Sequence, residues 1–379
     1  MPSAMSSKHL LVSICLGLTS AAALLACGED APAAPEPTSA PEATGATPPA
    51  TPTAAGPTPA PAGAPAIEPL PTPAVAMNKV LLGRRLFHDT RLSGDGTLSC
   101  ASCHSLDTGG AEHRATSQGI NGQIGPINAP TVLNSGLNFV QFWDGRAESL
   151  QAQAAGPVAN PGEMGANWET VVATLGANEN DRAEFTAIYA DGVTQANITD
   201  AIAEYERSLV TPSRFDAFLH GDQSALTADE QRGWATFQEV GCTACHRGPN
   251  AGGGMYQRMG LVRNYFELRG TPLTEADNGR FNVTHDEADR HRFKVPSLRN
   301  IELTAPYFHD GSQSELAGAV RIMGQVQLNR DLTDAQVSDI VAFLRSLTGT
   351  LPEHARMPAA APTAATPAPT APAAAPTAQ

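Results

Sequence analysis

Two pentapeptides constrain this chain more than anything else in it: Cys100-Ala101-Ser102-Cys103-His104 and Cys242-Thr243-Ala244-Cys245-His246. Two thiols separated by two residues reach the two vinyl groups of one haem, and the adjacent histidine then sits beneath the iron. Zinc is a competitor, but paired C-x-x-C zinc motifs usually lie within about 15–20 residues, and these two pairs stand in opposite halves of the chain. A thioredoxin-like redox pair needs no histidine at the fifth position. Both motifs carry it, so the sequence reads as two covalent haem c groups. Because a haem supplies apolar core, short helices and long loops are tolerable around it.

The other two of the six cysteines, Cys15 and Cys27, lie near the N-terminus, so none is left over for a disulfide. Lys8 precedes apolar runs at 10–18 and 21–26 that are too short and broken for a membrane span. Leu24-Leu25-Ala26-Cys27 resembles the lipobox of bacterial lipoproteins, which implies acylation of Cys27. Ordinary cleavage with Cys27 incidental is the alternative, and Met5 is an alternative start. A long Ala/Pro-rich segment follows, as an anchored enzyme needs. The expectation is a periplasmic lipoprotein, held to a membrane through its lipid, in the compartment where haem c is attached.

Composition divides the remainder. Residues 28–75 and 352–379 are dominated by Ala, Pro and Thr and have too few large apolar side chains to order themselves, so both read as disordered. Between them the expected organisation is mainly α: two cytochrome c-like helical haem domains with long loops, 76–213 and 214–351, meeting near Thr211-Pro212-Ser213. Val80, Leu81, Arg85 and Leu86 predict a helix over 77–88, and Ile202, Tyr205 and Leu209 share a face of a second. Thr227 with Glu230 forms a capping box whose helix delivers Cys242. Thr333 opens a last helix with Val337, Ile340, Val341 and Leu344 as its buried stripe and Gly349 as its stop. No strand pattern is convincing, and the haem motif is the only repeated unit.

Several further motifs occur in order: Leu82-Gly83-Arg84, Gly125-Pro126-Ile127-Asn128-Ala129-Pro130-Thr131, Phe142-Trp143-Asp144-Gly145-Arg146, Asn160-Pro161-Gly162-Glu163-Met164 and Ala305-Pro306-Tyr307-Phe308-His309-Asp310-Gly311. With the haem sites they resemble the bacterial di-haem cytochrome c peroxidases across essentially all of 76–350. That resemblance implies an N-terminal haem that meets hydrogen peroxide. It also implies a C-terminal haem of higher potential, fed by a small cytochrome c or a copper protein, and in many members a homodimer.

Carried over position by position, Glu163 matches the family's catalytic carboxylate and Gln153 its partner in the distal pocket. Splitting the O–O bond requires a proton to pass from one oxygen to the other, and one positioned carboxylate can carry it. Taken alone, a glutamate in a Pro/Gly-rich loop reads as solvated. Trp143 matches the tryptophan between the two haems, and packing alone is the plainer reading. Met323 matches the sixth ligand of the C-terminal haem, where a thioether raises the potential; Met255 and Met259 are rivals nearer in sequence. His309 matches a structural support. Asn128, Thr304 and Pro306 match a calcium site of one side-chain and two backbone oxygens.

One departure bears on mechanism. Many members carry a histidine that blocks the peroxidatic iron until the other haem is reduced, and here Ile120 stands at that position, with His113 the nearest histidine. The expectation is activity without reductive priming. A rival class of di-haem oxidases, which build a quinone cofactor on a partner protein, places Tyr where Met323 stands. A non-enzymatic di-haem electron carrier is a third reading, opposed by Glu163 with Gln153. The net charge of −14 argues against nucleic acid and suits steering of a basic cytochrome c.

Overall fold

Most helices, though not those starting at Met77, Phe281 and Leu316, begin where a side chain satisfies a backbone group that has no partner in the first turn. The computed structural model describes residues 66–357; Cys27 and the signal-like segment lie outside the described residues. In chain order the helices are α1 (Met77–Phe87), α2 (Cys100–Cys103), α3 (Leu150–Ala159), α4 (Trp168–Ala177), α5 (Glu179–Ile188), α6 (Gln195–Ser208), α7 (Arg214–Leu219), α8 (Ala228–Val240), α9 (Tyr265–Arg269), α10 (Phe281–Thr284), α11 (Leu316–Leu328) and α12 (Asp334–Ser346). Thr227 with Glu230 caps α8 and Thr333 with Gln336 caps α12, in reciprocal boxes. Gly241, at φ 106°, ends α8 and turns the chain directly into Cys242. The fold is mainly helical, as the sequence indicates.

Two halves follow one plan. Helix α1 lies along α6, and α8 along α12. A Cβ on Gly83 would stand 1.8 Å from the Ala201 carbonyl oxygen, and one on Gly233 would stand 1.9 Å from that of Asp339. One turn beyond each glycine an aromatic pair forms: Phe87 on Tyr205 at 5.3 Å and Phe237 on Phe343 at 5.1 Å. Past each haem motif, Pro130-Thr131-Val132-Leu133-Asn134 and Pro296-Ser297-Leu298-Arg299-Asn300 end on left-handed asparagines at φ 59° and 61°. Phe142-Trp143-Asp144-Gly145 and Phe308-His309-Asp310-Gly311 then form matching turns, each closed by an antiparallel bridge. Helices α3 and α11 start in the same register after those turns. The haem motif is therefore one of several repeated units, and reading it as the only one is corrected here.

Each half has its own core. Leu82, Leu86, Leu175, Phe185 and Ile202 centre the first, and Phe215, Ile340, Phe343 and Leu347 the second. A third cluster, Met259, Tyr265, Phe266, Phe293 and Val326, packs against Trp143 and Met323. Buried amides stitch the halves at Thr211. Its Oγ1 accepts from Asn134 at 2.9 Å and from Asn300 at 2.8 Å, and its N–H donates to Asn134 at 3.0 Å.

Some expectations need correction. Leu81 is exposed and Leu82 buried, because the close approach at Gly83 centres the buried stripe on Val80, Gly83, Leu86 and Phe87. Gly349 lies beyond the end of α12, where its N–H donates to Asn300 and its bare Cα admits the Thr211 carbonyl. Among the described residues one ribbon exists, β1 (Tyr256–Arg258) antiparallel to β2 (Arg292–Lys294), too short to show alternation in sequence. Residues 66–75, read as tether, begin with Ile67 fully buried in the second core and Leu70 N–H on Asp216. At the other end Ala355 is buried in the first core, its carbonyl accepting from Tyr205. Backbone hydrogen bonds help hold both segments: Gly248 and Arg299 donate to the Ala66 and Glu68 carbonyls, and Arg84 to those of His354 and Arg356.

Candidate functional site

Each C-x-x-C-H motif leaves its helix with the imidazole already aimed. His246 Nδ1 is 3.1 Å from the Ala251 carbonyl oxygen and His104 Nδ1 is 3.2 Å from that of Gly110. The Pro296 and Pro130 carbonyls also bear on these rings. Holding Nδ1–H on a carbonyl fixes the tautomer and leaves Nε2 for a metal. Burial lowers both histidines, His246 to about 4, so both rings are neutral and fit to ligate. Burial also pushes the Cys100 and Cys242 thiols up to about 12 and Cys103 to about 11.

All four cysteines are free. Cys100 packs against the first core and Cys242 against the second, so the pairs do not converge on a four-cysteine zinc site. The residues fit a haem in each half: paired thiols, a neutral oriented imidazole and, in the second half, an apolar cavity between them and Met323.

That cavity is lined by Cys242, Cys245, His246 and Met323. Met259 is buried and lines it too, whereas Met255 is not among its walls. His309 is buried with Nε2 2.8 Å from Asp277 Oδ1 and its ring stacked 4.4 Å from Phe293, which suits support rather than ligation. Asn128, Thr304 and Pro306 all line the cavity wall. Asn128 Nδ2 donates to the Arg114 carbonyl at 2.9 Å, which leaves its Oδ1 for another partner.

Trp143 belongs to the first half by sequence and packs into the third cluster. Its Nε1 donates to the Asn128 carbonyl at 2.9 Å, and its own carbonyl accepts from Lys294 N at 2.8 Å. Edge-on contacts at 6.4 Å to Phe293 and His309 complete its setting.

In the first half, Glu163 sits on the tight loop after α3. Asn160 Nδ2 donates to its carboxylate at 2.8 Å. Burial outweighs that bond and the Arg146 charge, and raises the carboxyl above its ordinary range. Its charge acts on Cys103 of the first haem motif, helping burial to raise that thiol. Gln153 lies on α3, half-buried, with no side-chain hydrogen bond among the described residues. Ile120 is buried against Gly165, its N–H donating to the Glu163 carbonyl at 2.8 Å. His113 is exposed, with Nε2 3.1 Å from the Leu303 carbonyl oxygen of the other half. In the shared register of α3 and α11, Pro157 occupies the place of Met323.

Sequence reasoning missed some ionisable groups. Glu206 is 4 % exposed, its carboxyl pushed up to about 8 by burial, and its charge bears on Cys100. The signal was present, since Glu206 follows Ile202 by one helical turn on the face already read as apolar. Glu112 has a buried carboxylate oxygen without a partner and bears on Cys103. Lys294 is buried in the cavity wall, and nothing in its short strand advertised that.

Two helical halves built to one plan, each presenting paired thiols and a carbonyl-oriented histidine, define a di-haem c-type cytochrome. Residues 77–224 match the family described as di-haem cytochrome c peroxidase, and 230–348 match cytochrome c. The cytochrome c551 peroxidase of Nitrosomonas europaea is 50% identical over 274 residues, covering 72% of this chain and 80% of that protein. The cytochrome c peroxidase Ccp of Escherichia coli is 48% identical over 287 residues, covering 75% of this chain. This chain spans 60% of that relative's length. The crystal structure of a MauG-like protein associated with microbial copper homeostasis superposes with a TM-score of 0.67 at 31% identity, covering 74% of this chain and 93% of that one. The chain belongs to the di-haem cytochrome c peroxidase family.

Proposed function

We propose that the protein reduces hydrogen peroxide to water, with Glu163 moving the proton at the N-terminal haem and Met323 ligating the C-terminal one. The observation that carries this is the difference between two halves otherwise built alike. One half sets Met323 at the cavity that holds His246. The other sets Pro157 in that register, a residue with no donor, and carries the half-buried Glu163, whose charge acts on Cys103. Haem, once attached, supplies the iron that binds peroxide and passes single electrons. Each peroxide takes up two electrons and two protons and leaves as two waters.

Burial raises the Glu163 carboxyl above its ordinary range, so its carboxylate is a stronger base for taking a proton from one peroxide oxygen and returning it to the other. The Asn160 amide holds the carboxylate in place, and Gln153 supplies a second polar group from α3. Trp143, bonded to both halves of the fold, is placed to shorten the gap an electron crosses.

Ile120 has no donor atom and is wedged against Gly165, while the His113 ring is engaged by Leu303. Neither residue would then cap the iron of the N-terminal haem in the all-ferric protein, and activity would need no reductive priming. The electron donor is a small cytochrome c or a copper protein. Asn128, Thr304 and Pro306 hold calcium, and Cys27 carries a lipid that keeps the enzyme at a periplasmic membrane surface. Among the described residues no helix is long and apolar enough to cross a membrane.

Turnover with reduced cytochrome c tests the assignment. Glu163→Gln, with both haems attached, should lose 100-fold or more, in the range of about 10²–10⁴ for a positioned proton carrier. Unchanged turnover rejects the role of Glu163, whereas no peroxide turnover in the parent with both haems attached favours an electron carrier. For the open site, cyanide added to the all-ferric protein should bind at once. A low-spin spectrum that ignores cyanide rejects it.

A further inference from the structure

Burying a cation without a counter-ion is costly, so folds that do it supply one. Arg299 is fully buried and meets Asp216 at 2.7 Å. Arg269, with its side chain 8 % exposed, meets Asp277 and Asp310 at 2.7 Å each. Lys294 differs. The residue is 5 % exposed, and its Nζ has no ion pair or hydrogen bond among the described residues yet keeps some accessible surface, unlike a cation sealed inside the protein. Burial by itself lowers its pKa to about 8, with no carboxylate acting on it.

Its position is fixed by β2, where its N–H donates to the Trp143 carbonyl at 2.8 Å and its strand pairs it with Tyr256. It lines the cavity that also holds Cys242, Cys245, His246 and Met323. No acidic side chain lines that cavity. The anion that answers Lys294 must therefore arrive with the occupant. A c-type haem keeps its two propionates free after its vinyl groups have joined the cysteines, and these are its only anionic groups.

We propose that Lys294 is the counter-ion of a propionate of the C-terminal haem, letting the fold enclose that carboxylate and biasing the iron toward its reduced state. The inference rests on the reading of this cavity as a haem site. An enclosed propionate without a cation would stabilise ferric iron, because the added electron would meet an uncompensated negative charge. Lys294 is a positioning residue in this account, and its effect is on the potential of a haem that does not meet peroxide.

The test is a spectroelectrochemical titration of holoprotein variants, with haems counted by intact mass. Lys294→Met and Lys294→Gln should shift the reduction equilibrium of the C-terminal haem at least tenfold toward ferric, which is about 59 mV for one electron. Lys294→Arg should stay within threefold of the parent. If the neutral variants lose the second haem while the Arg variant keeps it, the inference also stands. Unchanged potentials in all three, equal shifts in all three, or loss of that haem in all three overturn it. Fewer than two haems in the parent protein would instead reject the function on which the inference depends.

Discussion

Replacing Gly83 by Ala should destabilise the first half, although the same change inside an ordinary helix stabilises. Gly83 lies within α1, and Ala has the better helix propensity by up to about 1 kcal/mol. The new Cβ would stand 1.8 Å from the Ala201 carbonyl oxygen and 2.9 Å from Tyr205 Cβ, where real contacts are not under 3.0 Å. Helices α1 and α6 must part by roughly 1 Å, along a seam that also carries the Phe87–Tyr205 contact. Overpacking of this kind costs about 1–3 kcal/mol, and more when backbone has to move. The expected net loss is about 1–2 kcal/mol, or a fall of about 2–8 °C in the unfolding midpoint of a domain of this size. Gly176→Ala in α4 is the control, since its Cβ would meet nothing within 4 Å, and it should hold or raise the midpoint. Circular dichroism during urea and thermal unfolding of the holoprotein reads both. Equal effects at the two positions, or a stabilised Gly83→Ala, would refute the packing argument.

Other consequences are as direct. Turnover should fall as pH drops through the Glu163 titration, because the carboxylate must be ionised to take a proton. Burial raises that titration, so the acid limb should lie above the ordinary glutamate value of about 4.3 and vanish in Glu163→Gln; a limb left in the variant belongs to another group. Glu206→Gln should gain stability over the parent as pH rises. The folded state holds the Glu206 proton up to about 8 while the unfolded chain releases it near about 4.3, so the parent loses stability across that window. The difference should grow by up to about 1.4 kcal/mol per pH unit between pH 5 and 7 and be near zero at pH 4, read from urea midpoints; a flat difference would show that Glu206 ionises freely in the folded protein. The repeat predicts that Gly233→Ala, whose Cβ would stand 1.9 Å from the Asp339 carbonyl, behaves like Gly83→Ala but in the second half. A stable Gly233→Ala variant would break the equivalence of the two seams.

What was legible depended on how local the signal was. Caps at Thr227 and Thr333 could be read because a capping box closes within one turn, and the Ile202, Tyr205, Leu209 face because periodicity shows burial. Leu81 was misplaced because neighbouring leucines both fit a helical stripe, and only the approach of α6 at Gly83 chooses between them. The duplication was hidden because its units are short and unequally spaced. Gly-x-x-x-Phe, Pro-(Thr/Ser)-x-x-Asn and Phe-x-Asp-Gly mean little until their backbones are seen to take the same turns. A three-residue ribbon offers no alternation to detect, so Lys294 gave no sign of being buried.

The amino-acid order alone determined the haem chemistry, since thiol spacing and the adjacent histidine are covalent facts that no packing can alter. It also set the helical class and, through the resemblance, the residues worth examining. Tertiary structure decided which of them share a cavity: Met323 and Met259 but not Met255, and Lys294 with no carboxylate beside it. It decided too that Ile67 and Ala355 belong to cores far from them in sequence. Burial, close approach and charge compensation are properties of distances between remote residues. A linear pattern carries those only where folding brings neighbours in sequence together in space.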